Sequence, residues 1–330
     1  MKKRASTIFL LLVAFVGLSL LLYPSVSNYW NALHSSRAIS DYVEAVDRMD
    51  IAQKRAMLDE AYAYNKKLYD DGYTLVLPEP RKESYFKLLD ITGTGIMGYI
   101  EIPKIDVFLP IYHGTSDEVL QVAVGHIEGS FLPVGGENTH CLLSGHRGLP
   151  TAKLFTHLDK LNNGDLFTIR VLDLTLTYEV DHTAVILPDE LEELDVVPGQ
   201  DLCTLMTCTP YGINSHRLLV RGHRVENPEE IPELMISGDA LRMNPGVVAV
   251  FFAVPVLLAI FILVLIRSPK PPKKKNPPKK KKKPAPAKDA ALPGDQSGPE
   301  PPQNPPEPPK PEPPAPDKGD EPPFHLPGSR

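Results

Sequence analysis

The sequence runs to 330 residues, with 35 Lys and Arg against 41 Asp and Glu for a net charge of −6. The charge is unevenly placed. Residues 1–4 carry +3 and residues 267–330 carry 14 − 8 = +6, so residues 5–266 carry −6 − 3 − 6 = −15. A middle this acidic argues against a nucleic-acid partner, because phosphates require a basic face.

The basic MKKR opens a short cytoplasmic N-terminus over residues 1–6. Thr7–Leu22 is uncharged, the layout of a signal anchor, and a transmembrane helix is expected over residues 7–23. Ser25-Val26-Ser27 offers a small-x-small cleavage site as the alternative. Residues 24–97 read as an extracellular, largely helical region. Within it, residues 28–70 lack Gly and Pro, are rich in Ala, Leu, Lys and Glu, and predict helix closed by Asp71-Gly72. A loop with Pro78 and Pro80 follows, then the short segment SYFKLLDITG.

From residue 98 the texture changes to strands and turns, and residues 98–226 read as one strand-rich domain. The candidates are GYIEIPKI, VFLPIYHG, THCLLSGH, DLFTIRVL, LTLTYEVDHTAVIL, DLCTLMTC and HRLLVRGHRV, separated by Gly, Pro, Asn and Asp clusters. Short strands at such intervals predict a sandwich or small barrel, mainly β, with one short helix inside residues 150–163. Residues 227–245 form a linker.

Val247–Ile266 is 20 uncharged residues, enough to span a hydrocarbon core of about 30 Å, and a second transmembrane helix is expected over residues 246–266. A buried soluble helix would show a polar face, which this run lacks, and Pro255 is tolerable in a span. Basic flanks on the outer ends of both runs place both termini in the cytoplasm and residues 24–245 outside, at the cell membrane. Residues 267–330 hold 22 of the 36 prolines and nine lysines between 270 and 283. That Lys- and Pro-rich tail is expected to be disordered, with its lysines favouring anionic membrane lipid.

The chain has three cysteines, Cys141, Cys203 and Cys208, an odd count that fits a disulfide framework poorly. In Thr204-Leu-Met-Thr-Cys208-Thr-Pro-Tyr-Gly-Ile-Asn-Ser-His-Arg217, an apolar strand delivers Cys208 at its end. Pro210 and Gly212 open a loop, and the return strand starts with Arg217. CLLSGHRGLP places His146 at another strand end. A thiolate attacks, an imidazolium protonates a leaving amine, and a guanidinium holds an oxyanion: together these are the needs of acyl transfer. Taken singly, Cys208 reads as a core thiol and His146 as a loop residue. Their joint placement reverses both readings. Cys141 and Cys203 read as inward core thiols. His113, His126, His216 and His223 lack metal-ligand spacing and read as structural or surface groups. Neither a metal nor a cofactor is expected.

The stretch TLMTCTPYGINSHRLLVRG closely resembles the active-site hairpin of the class C, pilin-polymerising sortases, with its TLxTC…R signature. GYIEIPKI, LPIYHG, GHIEGSFLPVGG, SGHRGLPTAKLF and LDKLNNGD are similar to that family in order and spacing, and the resemblance covers residues 28–226. It implies an eight-stranded sortase β-barrel with N-terminal helices, with Cys208 as nucleophile, His146 as general acid and Arg217 as oxyanion and substrate anchor. Thr207, beside the nucleophile, is carried over as a substrate-binding or lid residue. The family's lid carries an Asp-Pro-aromatic motif over the catalytic cysteine. Here Glu79-Pro80-Arg81 stands in its place, with Arg81 replacing the aromatic, Glu79 available to pair with Arg217, and Arg81 set near Cys208. The implied activity is cleavage of an LPxTG-like sorting signal through a thioacyl enzyme and joining of pilin subunits by lysine isopeptide bonds. The implied partners are pilin or surface proteins bearing that signal. Anchoring of surface proteins to the cell-wall precursor is one alternative reading. A noncatalytic membrane scaffold acting through the Pro-rich tail is another.

Overall fold

The computed structural model describes residues 2–228 except 73, 74 and 76; the side chains of residues 2–8, 10–12 and 14 also fall outside the description. The expected second span, most of the linker and the Lys- and Pro-rich tail lie outside the described residues. The first apolar run falls within helix α1 (Lys2–Asp47). Among the described residues, no helix is long and apolar enough to cross a membrane.

Helix is not continuous over residues 28–70. α1 ends at Asp47, and α2 (Ile51–Asp70) starts afresh from Asp50. The Asp50 carboxylate accepts from the Gln53 amide while the Gln53 side chain accepts from the Asp50 amide. This reciprocal cap satisfies two orphan donors and favours a helix start there over continuation. α2 ends at Asp70 with Asp71 as its C-cap, before Gly72 at φ +83°. A short α3 (Glu79–Tyr85) follows, then α4 (Asp117–Leu120) within the strand domain.

The strands are β1 (Ile96–Ile102), β2 (Val107–His113), β3 (Val124–His126), β4 (Thr139–Ser144), β5 (Leu166–Val171), β6 (Leu174–Ile186), β7 (Asp201–Thr209) and β8 (His216–Val225). They close into a barrel in the order β1-β2-β3-β4-β7-β8-β6-β5, as the sequence resemblance implies. Seven correspond to the strands expected from sequence. β3 is the addition, three residues too short to show a period. The expected helix in residues 150–163 is a single 3₁₀ turn at Leu158–Lys160.

Alternation sorts each strand's residues. Cys141 and Leu143 on β4, with Cys203 and Leu205 on β7, join the interior cluster with Phe167, Ile169, Tyr178 and Val220. Full burial of each large apolar side chain contributes about 1.5–3 kcal/mol. Cys141 and Cys203 are direct partners across β4 and β7, so both thiols face the barrel interior as expected, and both are free. His126 bonds Tyr85 and the Phe131 carbonyl, and His113 bonds the Gly95 and Leu88 carbonyls, so these two histidines are structural.

α1 lies against the barrel by one stripe at helical spacing: Asn28, Asn31, Ser35, Ile39, Tyr42 and Val46. Its C-terminal half is apolar there, and the Tyr42 hydroxyl donates to the Met97 carbonyl and accepts from the Leu172 amide. On α2, the Asn65 side chain bonds both backbone groups of Leu132, and Lys54 pairs with Asp173.

Candidate active site

β4 and β7 run parallel with a constant offset of 62 residues, from Thr139↔Asp201 to Ser144↔Met206. The contact continues past the last paired residues. The Gly145 amide donates to the Met206 carbonyl at 3.0 Å, and the Thr207 hydroxyl donates to the Gly145 carbonyl at 2.7 Å. The same offset carries His146 level with Cys208. On the other side β8 returns antiparallel, and Arg217 is the direct partner of Cys208. By register His146, two residues past the end of β4, thus comes level with Cys208 on β7 and Arg217 on β8, with neighbouring strands about 4.8 Å apart.

Cys203 and Leu205 point inward, so alternation puts Thr204, Met206 and Cys208 on the outer face of β7. The His140–Thr204 bond at 2.7 Å crosses that same face. The connection between β6 and β7 is fastened over it by His140 Nδ1 on the Asp195 carbonyl and by the His182–Glu193 pair at 3.2 Å. Cys208 is half-buried and free.

Arg217 is only 9% exposed, yet its hydrogen bonds among the described residues run from Nη1 alone, to the Asn214 and His216 carbonyls at 3.2 Å each. The Nε–H and the two Nη2 hydrogens remain for an incoming oxygen. The loop that holds it turns through Gly212 and Asn214, both at positive φ, with a cis Thr209–Pro210 bond.

His146 is half-buried, and burial lowers its pKa below the ordinary imidazole value while Asp117 pulls weakly the other way. Neutral imidazole is thus its resting form near neutral pH. The loop that carries it is fixed at several points. Phe155 donates its amide to the His146 carbonyl at 3.1 Å, and its ring lies 2.7 Å from where a Gly145 Cβ would sit, so this position has room for glycine only. Gly148 donates to Thr156 Oγ1, and Arg147 pairs with Asp159. Tyr211 from the β7–β8 loop covers Gly148, which has φ +80°.

Four sequence-predicted residues take other places. Thr207 is buried and donates its hydroxyl to the Gly145 carbonyl, which ties β7 to the loop carrying His146. Arg81 pairs with Asp71 at 2.6 Å, just past the end of α2. Glu79 and Pro80 are exposed in the first turn of α3, and Arg217 bonds carbonyls in place of Glu79. The physical reason is local: Pro at the second position and Glu in the first turn both favour a helix start, and the Asp71 carboxylate offers Arg81 a better partner than an apolar cleft. Phe155, Thr156 and Tyr211 were not foreseen. The SGHRGLPTAKLF run ends on Phe155, just before Thr156, but only the tertiary contacts reveal the task of either.

A thiol, an imidazole and a guanidinium brought level at one rim of a barrel have the chemistry that cysteine-based acyl transfer requires. The sortase domain matches residues 100–225. Sortase C1 from Streptococcus agalactiae is 50% identical, with a TM-score of 0.57, over 58% of this chain and 100% of that one. Sortase C from Streptococcus pneumoniae, described with regard to catalysis and pilin substrate specificity, is 44% identical with a TM-score of 0.54, over 59% and 100%. The curated sortase D of Bacillus subtilis is 32% identical over 131 residues, 39% of this chain and 63% of that protein's length. The chain belongs to the sortase family.

Proposed function

We propose that this chain is a cysteine transpeptidase that cleaves an LPxTG-like sorting signal and joins pilin subunits through lysine isopeptide bonds. The observation that carries the reading is the strand register, which brings His146 just past β4 level with Cys208 on β7 and Arg217 on β8. The likeness to the S. pneumoniae sortase C supports the pilin part.

In the proposed reaction Cys208 passes its proton to His146, and the thiolate attacks the carbonyl carbon of the signal's Thr. The oxyanion is held by the Nε and Nη2 hydrogens of Arg217. Collapse breaks the Thr–Gly C–N bond, and the His146 imidazolium gives its proton to the leaving amine. A lysine amine of the next subunit then attacks the thioester, loses a proton to His146 and expels the Cys208 thiolate. The thiolate takes that proton back from His146, leaving isopeptide product and resting enzyme.

The two apolar runs and their basic flanks support a two-span membrane protein whose catalytic domain lies outside the cell. The test is mass spectrometry of the product formed from a sorting-signal peptide and a pilin lysine peptide. The expected product carries one amide bond from Thr to the lysine Nε. Hydrolysis alone, or transfer only to a cell-wall precursor amine, would refute the pilin assignment.

A further inference from the structure

We infer that Asn28 and Asn31 of α1 are positioning residues for His146, so that the helix carrying the first apolar run braces the site of acyl transfer. Two hydrogen bonds join α1 to the loop after β4, across about 120 residues of sequence. Asn31 Nδ2 donates to the Thr151 carbonyl at 2.9 Å, and the Lys153 amide donates to Asn28 Oδ1 at 2.8 Å. The two asparagines lie three residues apart, one turn on the same helix face, so they grip the loop backbone at two nearby points.

What they grip leads straight to the imidazole. Two residues beyond Lys153, Phe155 donates its amide to the His146 carbonyl and seats its ring against Gly145. Leu154 between them is held at φ +38°, so this backbone has a defined, constrained course. Loosening residues 151–153 therefore frees Phe155, and with it the height and tilt of His146 relative to Cys208. Small displacements of an acid matter because proton transfer needs near-attack geometry. The apolar run ends at Leu22, and the grip begins six residues later, about 9 Å along a helix.

The two bonds have opposite polarity, which gives the test. Asn28 accepts, and Asn28→Asp keeps an acceptor for the Lys153 amide. Asn31 donates, and Asn31→Asp sets a carboxylate oxygen against the Thr151 carbonyl. The inference rests on the transpeptidase reading, so full-length Cys208→Ala is run beside both variants with a sorting-signal peptide. Expected are abolished turnover in Cys208→Ala, and a kcat lowered about three- to tenfold in Asn31→Asp with KM and Cys208 alkylation rate unchanged. Asn28→Asp is expected to retain its hydrogen bond and its turnover, whereas Asn28→Ala loses turnover as Asn31→Asp does. Full turnover in Asn31→Asp, or equal losses in the two Asp variants with a matching fall in melting temperature, overturns the brace alone. Undiminished turnover in Cys208→Ala overturns the catalytic reading and the brace with it.

Discussion

Replacing Thr207 with Val tests how the His146 loop is joined to the strand that carries the nucleophile. Valine keeps the shape and deletes one donor. The Gly145 carbonyl is buried, and among the described residues the Thr207 hydroxyl at 2.7 Å is its partner. Leaving a buried carbonyl unpaired costs about 1–3 kcal/mol. At about 2 kcal/mol, a domain of roughly 200 residues loses about 4–8 °C in Tm. The loop also loses its tether one residue before His146, so kcat should fall while KM for a sorting-signal peptide stays put. Thr207→Ser keeps the donor and should recover kcat, though not all of the stability, because its methyl is missing. Differential scanning calorimetry and steady-state kinetics measure both. A Thr207→Val protein with native Tm and native kcat refutes the reasoning; a selective rise in KM would return Thr207 to the substrate-binding role expected from sequence.

Cys208→Ala should form no thioacyl adduct by intact mass while keeping its fold, and Arg217→Lys, which keeps charge but loses the fork, should lose about 10²–10³-fold in kcat. Wild-type turnover in either would refute the row as the site. Burial of His140 lowers its pKa to about 4, so the unfolded chain binds the extra proton first; its stabilising contribution is complete above about pH 6.5 and lost as pH falls toward 4, up to about 3 kcal/mol. Urea midpoints between pH 7 and 4.5 should therefore fall more steeply in the native protein than in His140→Gln, and equal slopes would refute the assignment. Because Arg81 is held by Asp71, Arg81→Trp and Asp71→Asn should leave the alkylation rate of Cys208 unchanged; marked slowing by Arg81→Trp would restore a lid over the thiol. Protease added to intact protoplasts should digest the domain after residue 24 and spare an epitope at Arg330; a protected domain would overturn the proposed topology.

The strands of this barrel were legible because alternation survives in them: THCLLS and DLCTLMTC each show an inward face that the structure confirms through Cys141, Leu143, Cys203 and Leu205. β3 was not legible, since three residues between turns carry no period and its pairing with both β2 and β4 is entirely tertiary. The break before α2 was written in the sequence as Asp50 and Gln53, a capping box inside a run whose composition otherwise favours helix. Cys208 and Arg217 could be set on one rim from their nine-residue separation across a turn. The tasks of Thr207 and Asn31 could not be read this way, because each bonds a backbone group far along the chain and backbone partners leave no trace in residue type; that of Phe155 rests on how its ring packs against Gly145.

The parallel pairing of β4 and β7 explains why the site is where it is. Parallel strands finish at the same end of a barrel, so the loops after Ser144 and Thr209 leave from one rim even though 62 residues separate corresponding positions. An antiparallel neighbour of β7 must start at that rim, which gives β8 its place and sets Arg217 across from Cys208. With antiparallel strands alone, loops after successive strands would alternate between rims and His146 would sit a barrel length from the thiol. The arrangement also sets the electrostatics. A residue past the end of β4, packed beside Phe155, is partly desolvated, which lowers the His146 pKa and leaves the imidazole neutral near neutral pH. A lowered pKa makes the protonated form scarcer but a stronger acid, which suits the proposed reaction, in which His146 delivers a proton to a leaving amine and takes one from the next.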